Sequence, residues 1–183
     1  MRKRLLVLTA LLLVGSLPAA DALAIPGLKV GGKAPDFTLK QAAGADVALG
    51  ALLKKSKVAL VFYRSADWCP FCKKQLQDLQ NNLKAFESAG VQIVGISYDA
   101  PATSAAAAAK LGLTFPLLSD TGSIIIDAYG IRNTDAQGKS AGVPHPVLFL
   151  LDQQGVIRGK LAREGYRERP ESAELIAAAQ SLK

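Results

Sequence analysis

The feature that most restricts this chain is where its two cysteines stand. Cys69 and Cys72 are the only cysteines in the 183 residues, and they fall at the point where the hydrophobic period changes. Ahead of them, Lys57 to Tyr63 (KVALVFY) is an apolar run rich in β-branched and aromatic residues, the pattern of a strand buried on both faces. Behind them, Leu76, Leu79, Leu83 and Phe86 recur at intervals of three and four with Lys73, Lys74, Gln77, Asp78, Asn81 and Asn82 between them. This spacing predicts one amphipathic helix closing at Gly90. Val91 to Ser97 (VQIVGIS) is strand-like again, so the pair sits inside a βαβ unit with parallel strands and a right-handed crossover.

That position has chemical consequences. At the head of a helix, unpaired backbone N–H groups and the helix dipole favour negative charge, so the Cys69 thiol is expected to ionise below the free value of about 8.5. Pro70 suits a first helical position, because its φ is fixed and it has no N–H to leave unpaired. Cys72, one turn inside, is placed to attack a mixed disulfide on Cys69. Lys73 either adds cationic field or is a solvated helix lysine. Zinc would require about four ligands, and two cysteines with His145 fall short. A purely structural bridge would close a very small loop with little entropic gain and would lie at an element boundary open to attack.

The remaining sequence reads as one α/β domain over residues 25–183. Ile25 to Ala34 is an extended lead-in, Asp36 to Leu39 alternates like a short strand, and a turn falls at Gly44 to Asp46. Pro101 to Leu111, with five consecutive alanines, and Ser123 to Tyr129 read as helices, with Phe115 to Asp120 extended between them. Val147 to Leu151 and Val156 to Leu161 flank Asp152-Gln153-Gln154-Gly155 as a hairpin, and Pro170 to Glu174 opens a last helix.

Residues 1–24 combine a basic start (Arg2-Lys3-Arg4), an apolar run from Leu5 to Leu17 and a small-x-small site at Ala22-Leu23-Ala24. These are the marks of a secretory signal, and they place the mature protein in the periplasm or outside the cell. The run is short for a bilayer span, so the membrane is a partner only if the signal stays uncleaved. Cleavage removes three cations and Asp21, taking the net charge from +7 to +5. The remaining cations are scattered among acids, which argues against a nucleic-acid site.

Strand, Trp68-Cys69-Pro70-Phe71-Cys72, helix, and a proline just before a strand of the closing hairpin resemble the thioredoxin-like superfamily. Five further segments narrow the resemblance to the AhpC/TSA, or redoxin, group: Gly32 to Phe37, Val94 to Asp99, Phe115 to Asp120, Ala128-Tyr129-Gly130 and Pro146 to Asp152. The resemblance implies a thioredoxin-like fold, a central mixed β-sheet flanked by helices, with a peroxiredoxin-like N-terminal extension. It implies that Pro146 is a cis-proline facing the dithiol, with His145 beside it. Trp68, Pro70, Phe71, His145 and Pro146 are then the residues that bind substrate or modulate the sulfurs. Two departures stand out: the Pro and Thr that peroxiredoxins carry seven and three residues before the first Cys are Phe62 and Ala66 here, leaving Arg64 and Ser65 as peroxide-orienting candidates. The buried carboxylate of thioredoxins, six residues before that Cys, is Tyr63.

The leading reading is therefore an exported thiol–disulfide oxidoreductase, with Cys69 attacking and Cys72 resolving. The alternative is a peroxiredoxin-like thiol peroxidase in which Cys69 becomes a sulfenic acid, and a third reading is a thioredoxin-fold binding module without catalysis. None calls for a metal or organic cofactor. The expected partners are protein or small-molecule disulfides and thiols, hydroperoxides under the alternative, and an electron donor or acceptor.

Overall fold

Lys57–Phe62 forms a strand whose side chains alternate between two buried layers: Ala59 and Val61 point into one, Val58, Leu60 and Phe62 into the other. Around it the computed structural model, which describes residues 26–182, builds a mixed seven-stranded sheet. The proposed signal lies outside the described residues. The strands are β1 (Thr38–Gln41), β2 (Asp46–Ala48), β3 (Lys57–Phe62), β4 (Val91–Ser97), β5 (Leu117–Ser119), β6 (Val147–Leu151) and β7 (Ile157–Leu161), in the order β2-β1-β5-β4-β3-β6-β7. The helices are α1 (Leu49–Leu53), α2 (Pro70–Asn81), α3 (Leu83–Ser88), α4 (Pro101–Leu111), α5 (Ile124–Ala128) and α6 (Ser172–Gln180).

β3 and β4 run parallel, as the βαβ pattern predicts, and β5 joins β4 in the same direction, while β6 lies antiparallel to β3 and β7 to β6. β1 and β2 close the other edge as an antiparallel ribbon. The turn between β6 and β7 is tied by the buried Asp152, whose Oδ1 accepts the amides of Gln154 and Val156, both at 2.9 Å.

Each face of the sheet has its own core. On one, Val61, Tyr63, Ile93, Leu117, Leu148 and Leu150 pack with residues of α2, α3, α4 and α6. Gly95 of β4 makes this layer possible: a Cβ there would come within 2.7 Å of Leu117 Cδ2 and 3.1 Å of Tyr63 Cε1. On the other, Phe62, Tyr129 and Phe149 form an aromatic cluster with centroid separations of 4.9, 6.0 and 5.4 Å. Such pairs contribute about 0.5–1.5 kcal/mol each beyond the area they bury.

One expected helix is two. The amphipathic run after the cysteines breaks at Asn82 (φ −106°, ψ 10°), separating α2 from α3. The Asn82 side chain donates to Asp78 O at 2.8 Å and so competes for a carbonyl at the end of α2. Phe86 and Leu83 still reach the same core, which is why the period survives the break. The first strand is displaced too, beginning at Thr38 rather than Asp36, and its pairing with β2 and β5 fixes the register.

After β7 the chain does not enter α6 directly. Residues 162–171 form an irregular strap toward the head of α2, held to α6 by an ion pair between Arg163 and Glu174.

Candidate active site

Cys69 is the N-cap of α2, in extended conformation (φ −94°, ψ 104°), and Pro70 is the first helical residue. Its sulfur accepts the backbone N–H of Cys72 at 3.2 Å, so one of the unpaired amides at the helix head is spent on that sulfur. Cys69 and Cys72 are joined by a disulfide, their Cα atoms 5.3 Å apart. Both residues are fully buried, within the core layer that includes Val61, Leu76 and Leu148, with Trp68 packed against it. The sequence reading has the bond at an element boundary open to attack. The boundary is there, but both cysteines are fully buried and only Pro70 and Phe71 between them are exposed, so a donor reaches the bond by displacing the side chains over it.

The loop from β3 to Cys69 is anchored from below. Asp99, just beyond β4, accepts Ser65 Oγ at 2.8 Å on one oxygen and the amide of Ala66 at 2.7 Å on the other, which also takes Ser97 Oγ at 3.1 Å. Ser65 Oγ in turn accepts the amides of Asp67 at 3.0 Å and Trp68 at 3.4 Å. Burial pushes the Asp99 carboxyl above its usual range, opposed by these hydrogen bonds. Ser65 is completely buried and its hydroxyl is committed inside the loop. Tyr63, at the position where thioredoxins carry a carboxylate, holds its hydroxyl buried without a directed hydrogen bond. Burial raises the Tyr63 pKa, and the nearby Ser97 and Ser104 hydroxyls only moderate the rise.

Around the dithiol the candidate side chains form a rim. The Arg64 guanidinium lies between two rings, 4.7 Å from the Trp68 centroid and 4.5 Å from that of Tyr166 in the strap. Its Nε is buried with no hydrogen-bond partner. Trp68 Nε1 donates to Tyr98 Oη at 2.9 Å, and Tyr98 donates to the carbonyl of Lys139 at 2.6 Å. Phe71 is 39% exposed, a large apolar side chain left on the surface between the cysteines. His145, half-buried, lines a 440 Å³ groove with Arg64, Asn133, Asp135 and Tyr166. Burial lowers its pKa, and Asp135 partly offsets this. Lys73 lies in another groove, between Asp67 and α4.

Pro146 is buried, and the Phe62–Val147 register puts it beside the end of β3, where the dithiol loop leaves the sheet. The His145–Pro146 peptide bond is trans, as are all peptide bonds among the described residues, which corrects the cis isomer the resemblance implies. The trans form is the favoured state of X–Pro bonds, and the His145 amide is held by Ile131 O at 2.7 Å.

Arg169 is absent from the candidates above, yet among the described residues it is the one cation in hydrogen-bond contact with a sulfur. Its Nη2 lies 3.5 Å from Cys72 Sγ, Nε donates to Gln75 Oε1 at 2.9 Å, and Nη1 donates to the carbonyls of Tyr166 at 2.8 Å and Glu168 at 2.7 Å. In the sequence it is one of several scattered arginines ahead of α6, and nothing local brings it to a residue 97 positions away. A partial signal is Gln75, a polar residue one turn beyond Cys72 on the same helix face.

Among the described residues no three His, Cys, Asp or Glu side chains are grouped to share a metal ion, and no helix is long and apolar enough to cross a membrane.

Comparison with known proteins places this geometry in context. A family model described as AhpC/TSA family matches residues 30–160. The chain is 39% identical over 131 residues to the putative peroxiredoxin Rv2521 of Mycobacterium tuberculosis (strain ATCC 25618 / H37Rv), covering 71% of this chain and 82% of that protein. It is 35% identical over 133 residues to alkyl hydroperoxide reductase E of Mycobacterium bovis, covering 72% and 83%. Among solved structures, peroxidoxin BcpB from Mycobacterium tuberculosis superposes with a TM-score of 0.75 at 24% identity, over 85% of this chain and 99% of that one. The fold is thus thioredoxin-like, of the peroxiredoxin type. The named relatives favour the thiol peroxidase alternative over the broader thiol–disulfide oxidoreductase reading.

Proposed function

Because this chain belongs to the AhpC/TSA family, we propose that it is a thiol-dependent peroxidase in which Cys69 meets the peroxide and Cys72 resolves it. The observation that carries the reading is the double engagement of Cys69, whose sulfur both caps α2 through the Cys72 amide and is bonded to Cys72. In the reduced protein the Cys69 thiolate attacks one peroxide oxygen, the O–O bond breaks, and the alcohol or water leaves with a proton, giving a sulfenic acid on Cys69. The Cys72 thiol attacks that sulfur, water departs, and the disulfide forms. An external thiol or dithiol supplies two electrons to reopen it.

The rim supports a division of labour. Arg64, whose buried Nε is unpartnered, is the donor we assign to a peroxide oxygen. Ser65, held by Asp99, shapes the loop that presents Cys69. Phe71 and the groove containing His145 are the surfaces that meet the electron donor. The signal-like residues 1–24 support export, so the donor is a periplasmic or extracellular thiol.

One observation favours thiol–disulfide exchange with proteins instead: Phe62 and Ala66, where peroxiredoxins have Pro and Thr, are both buried apolar residues and offer no side-chain hydroxyl. Steady-state consumption of hydrogen peroxide and an organic hydroperoxide, with dithiothreitol as donor, separates the two. The peroxidase reading predicts turnover that disappears in Cys69→Ser. Wild-type protein that reduces insulin disulfides but consumes no hydroperoxide would establish the exchange reading.

A further inference from the structure

We propose that Arg169 is a catalytic residue that receives Cys72 as a thiolate when the disulfide is opened. The inference rests on the dithiol cycle proposed above and assigns it a leaving-group site. Three of the four hydrogen bonds of the guanidinium go to neutral oxygens of Gln75, Tyr166 and Glu168, and the fourth goes to Cys72 Sγ. Gln75, itself only 7% exposed, and the two strap carbonyls fix the plane of the fork so that Nη2 faces the sulfur.

Charge balance points the same way. Neither Arg169 nor its neighbour Arg64 makes an ion pair among the described residues. Burial, with Arg64 adding repulsion, pushes the Arg169 guanidinium down to about 10, so it remains a cation at neutral pH but an uncompensated one. A disulfide sulfur is a neutral, weak acceptor and returns little of that cost. The counter-charge appears only when Cys72 becomes a thiolate. The other charged groups around this end of α2 are Lys73 and Lys74 on the helix, Lys74 being paired with Asp78 at 2.5 Å, Arg167 and Glu171 in the cavity that Arg169 also lines, and Asp99 beneath the loop.

The step is a thiol–disulfide exchange. The thiolate of the external donor attacks Cys69 Sγ, a new S–S bond forms there, and the Cys69–Cys72 bond breaks with its electron pair leaving on Cys72 Sγ, against Nη2. A second donor thiolate attacks the donor sulfur of this mixed disulfide and releases Cys69 as a thiolate, so the donor is oxidised to its disulfide and the protein gains two electrons. A leaving thiolate of lower pKa departs faster, so Arg169 directs attack to Cys69 and speeds reduction.

The test follows thiolate absorbance at 240 nm during pH titration of Cys72 in the Cys69→Ser protein, with Arg169 intact or replaced, alongside the rate at which dithiothreitol reduces the disulfide in an otherwise wild-type chain. Arg169→Gln is expected to raise the Cys72 midpoint by about one to two pH units and to slow reduction at neutral pH roughly threefold to tenfold. Arg169→Lys, which keeps the cation, recovers part of both effects. Gln75→Met, which removes the acceptor orienting Nε, serves as the second variant should Arg169→Gln fail to fold, and it raises the midpoint in the same direction. An unmoved Cys72 midpoint in either folded variant overturns the proposal. Neither readout involves peroxide, so absent peroxide turnover with these shifts intact counts against the peroxidase reading alone.

Discussion

The two faces of the sheet are built to different standards. On the face away from the dithiol, Phe62, Tyr129 and Phe149 pack ring against ring, and the one hydroxyl among them is satisfied, Tyr129 donating to Pro35 O at 3.1 Å. On the dithiol face, Tyr63 Oη and Arg64 Nε are buried without partners, and Arg169 is a cation with no anion among the described residues. Buried polar groups are normally paired, because an unpaired one costs about 1–3 kcal/mol. Two partnerless polar atoms at the strand end and loop that lead to the dithiol, together with a half-buried cation that has no anion, mark the part of the molecule arranged for a state other than the resting one.

The comparison can be broken by removing a ring from the quiet face. Phe149→Ala is expected to destabilise the fold by about 3–5 kcal/mol in urea unfolding, while the dithiol of the folded variant keeps its equilibrium with glutathione. A large shift in that equilibrium would show that the faces are not independent. A smaller pair of changes sharpens it. Tyr129→Phe leaves Pro35 O without its donor and should cost about 1 kcal/mol, whereas Tyr63→Phe deletes an unpartnered hydroxyl and should be neutral or stabilising by a few tenths. Equal losses from the two substitutions would mean that the Tyr63 hydroxyl is satisfied after all.

What could be read from the sequence was what acts locally. The run from Lys57 to Tyr63 and the position of Cys69 at the head of α2 depend on neighbours in the chain, and the parallel β3–β4 pair follows from one strand–helix–strand pattern. The break at Asn82 was hidden because Phe86 and Leu83 keep the helical period across it. The supports of the site were invisible for a different reason. Asp99 reaches Ser65 across 34 residues, and Arg169 reaches Cys72 across 97, through a strap without regular structure whose composition resembles an ordinary charged loop. The sequence therefore named the sulfurs and the residues beside them, Trp68, Pro70 and Phe71, while Asp99 and Arg169 are brought to the dithiol loop and to Cys72 only by the tertiary fold.

The unequal roles of the two sulfurs are tested most directly by trapping the first oxidised species. The reduced Cys72→Ser and Cys69→Ser proteins would each receive one equivalent of hydrogen peroxide in the presence of a dimedone-type probe, followed by peptide mapping. The account predicts a labelled sulfenic acid on Cys69 in the first protein, little label on Cys72 in the second, and only the intramolecular disulfide in wild type. Faster labelling of Cys72 than of Cys69, or no label on either, would contradict it.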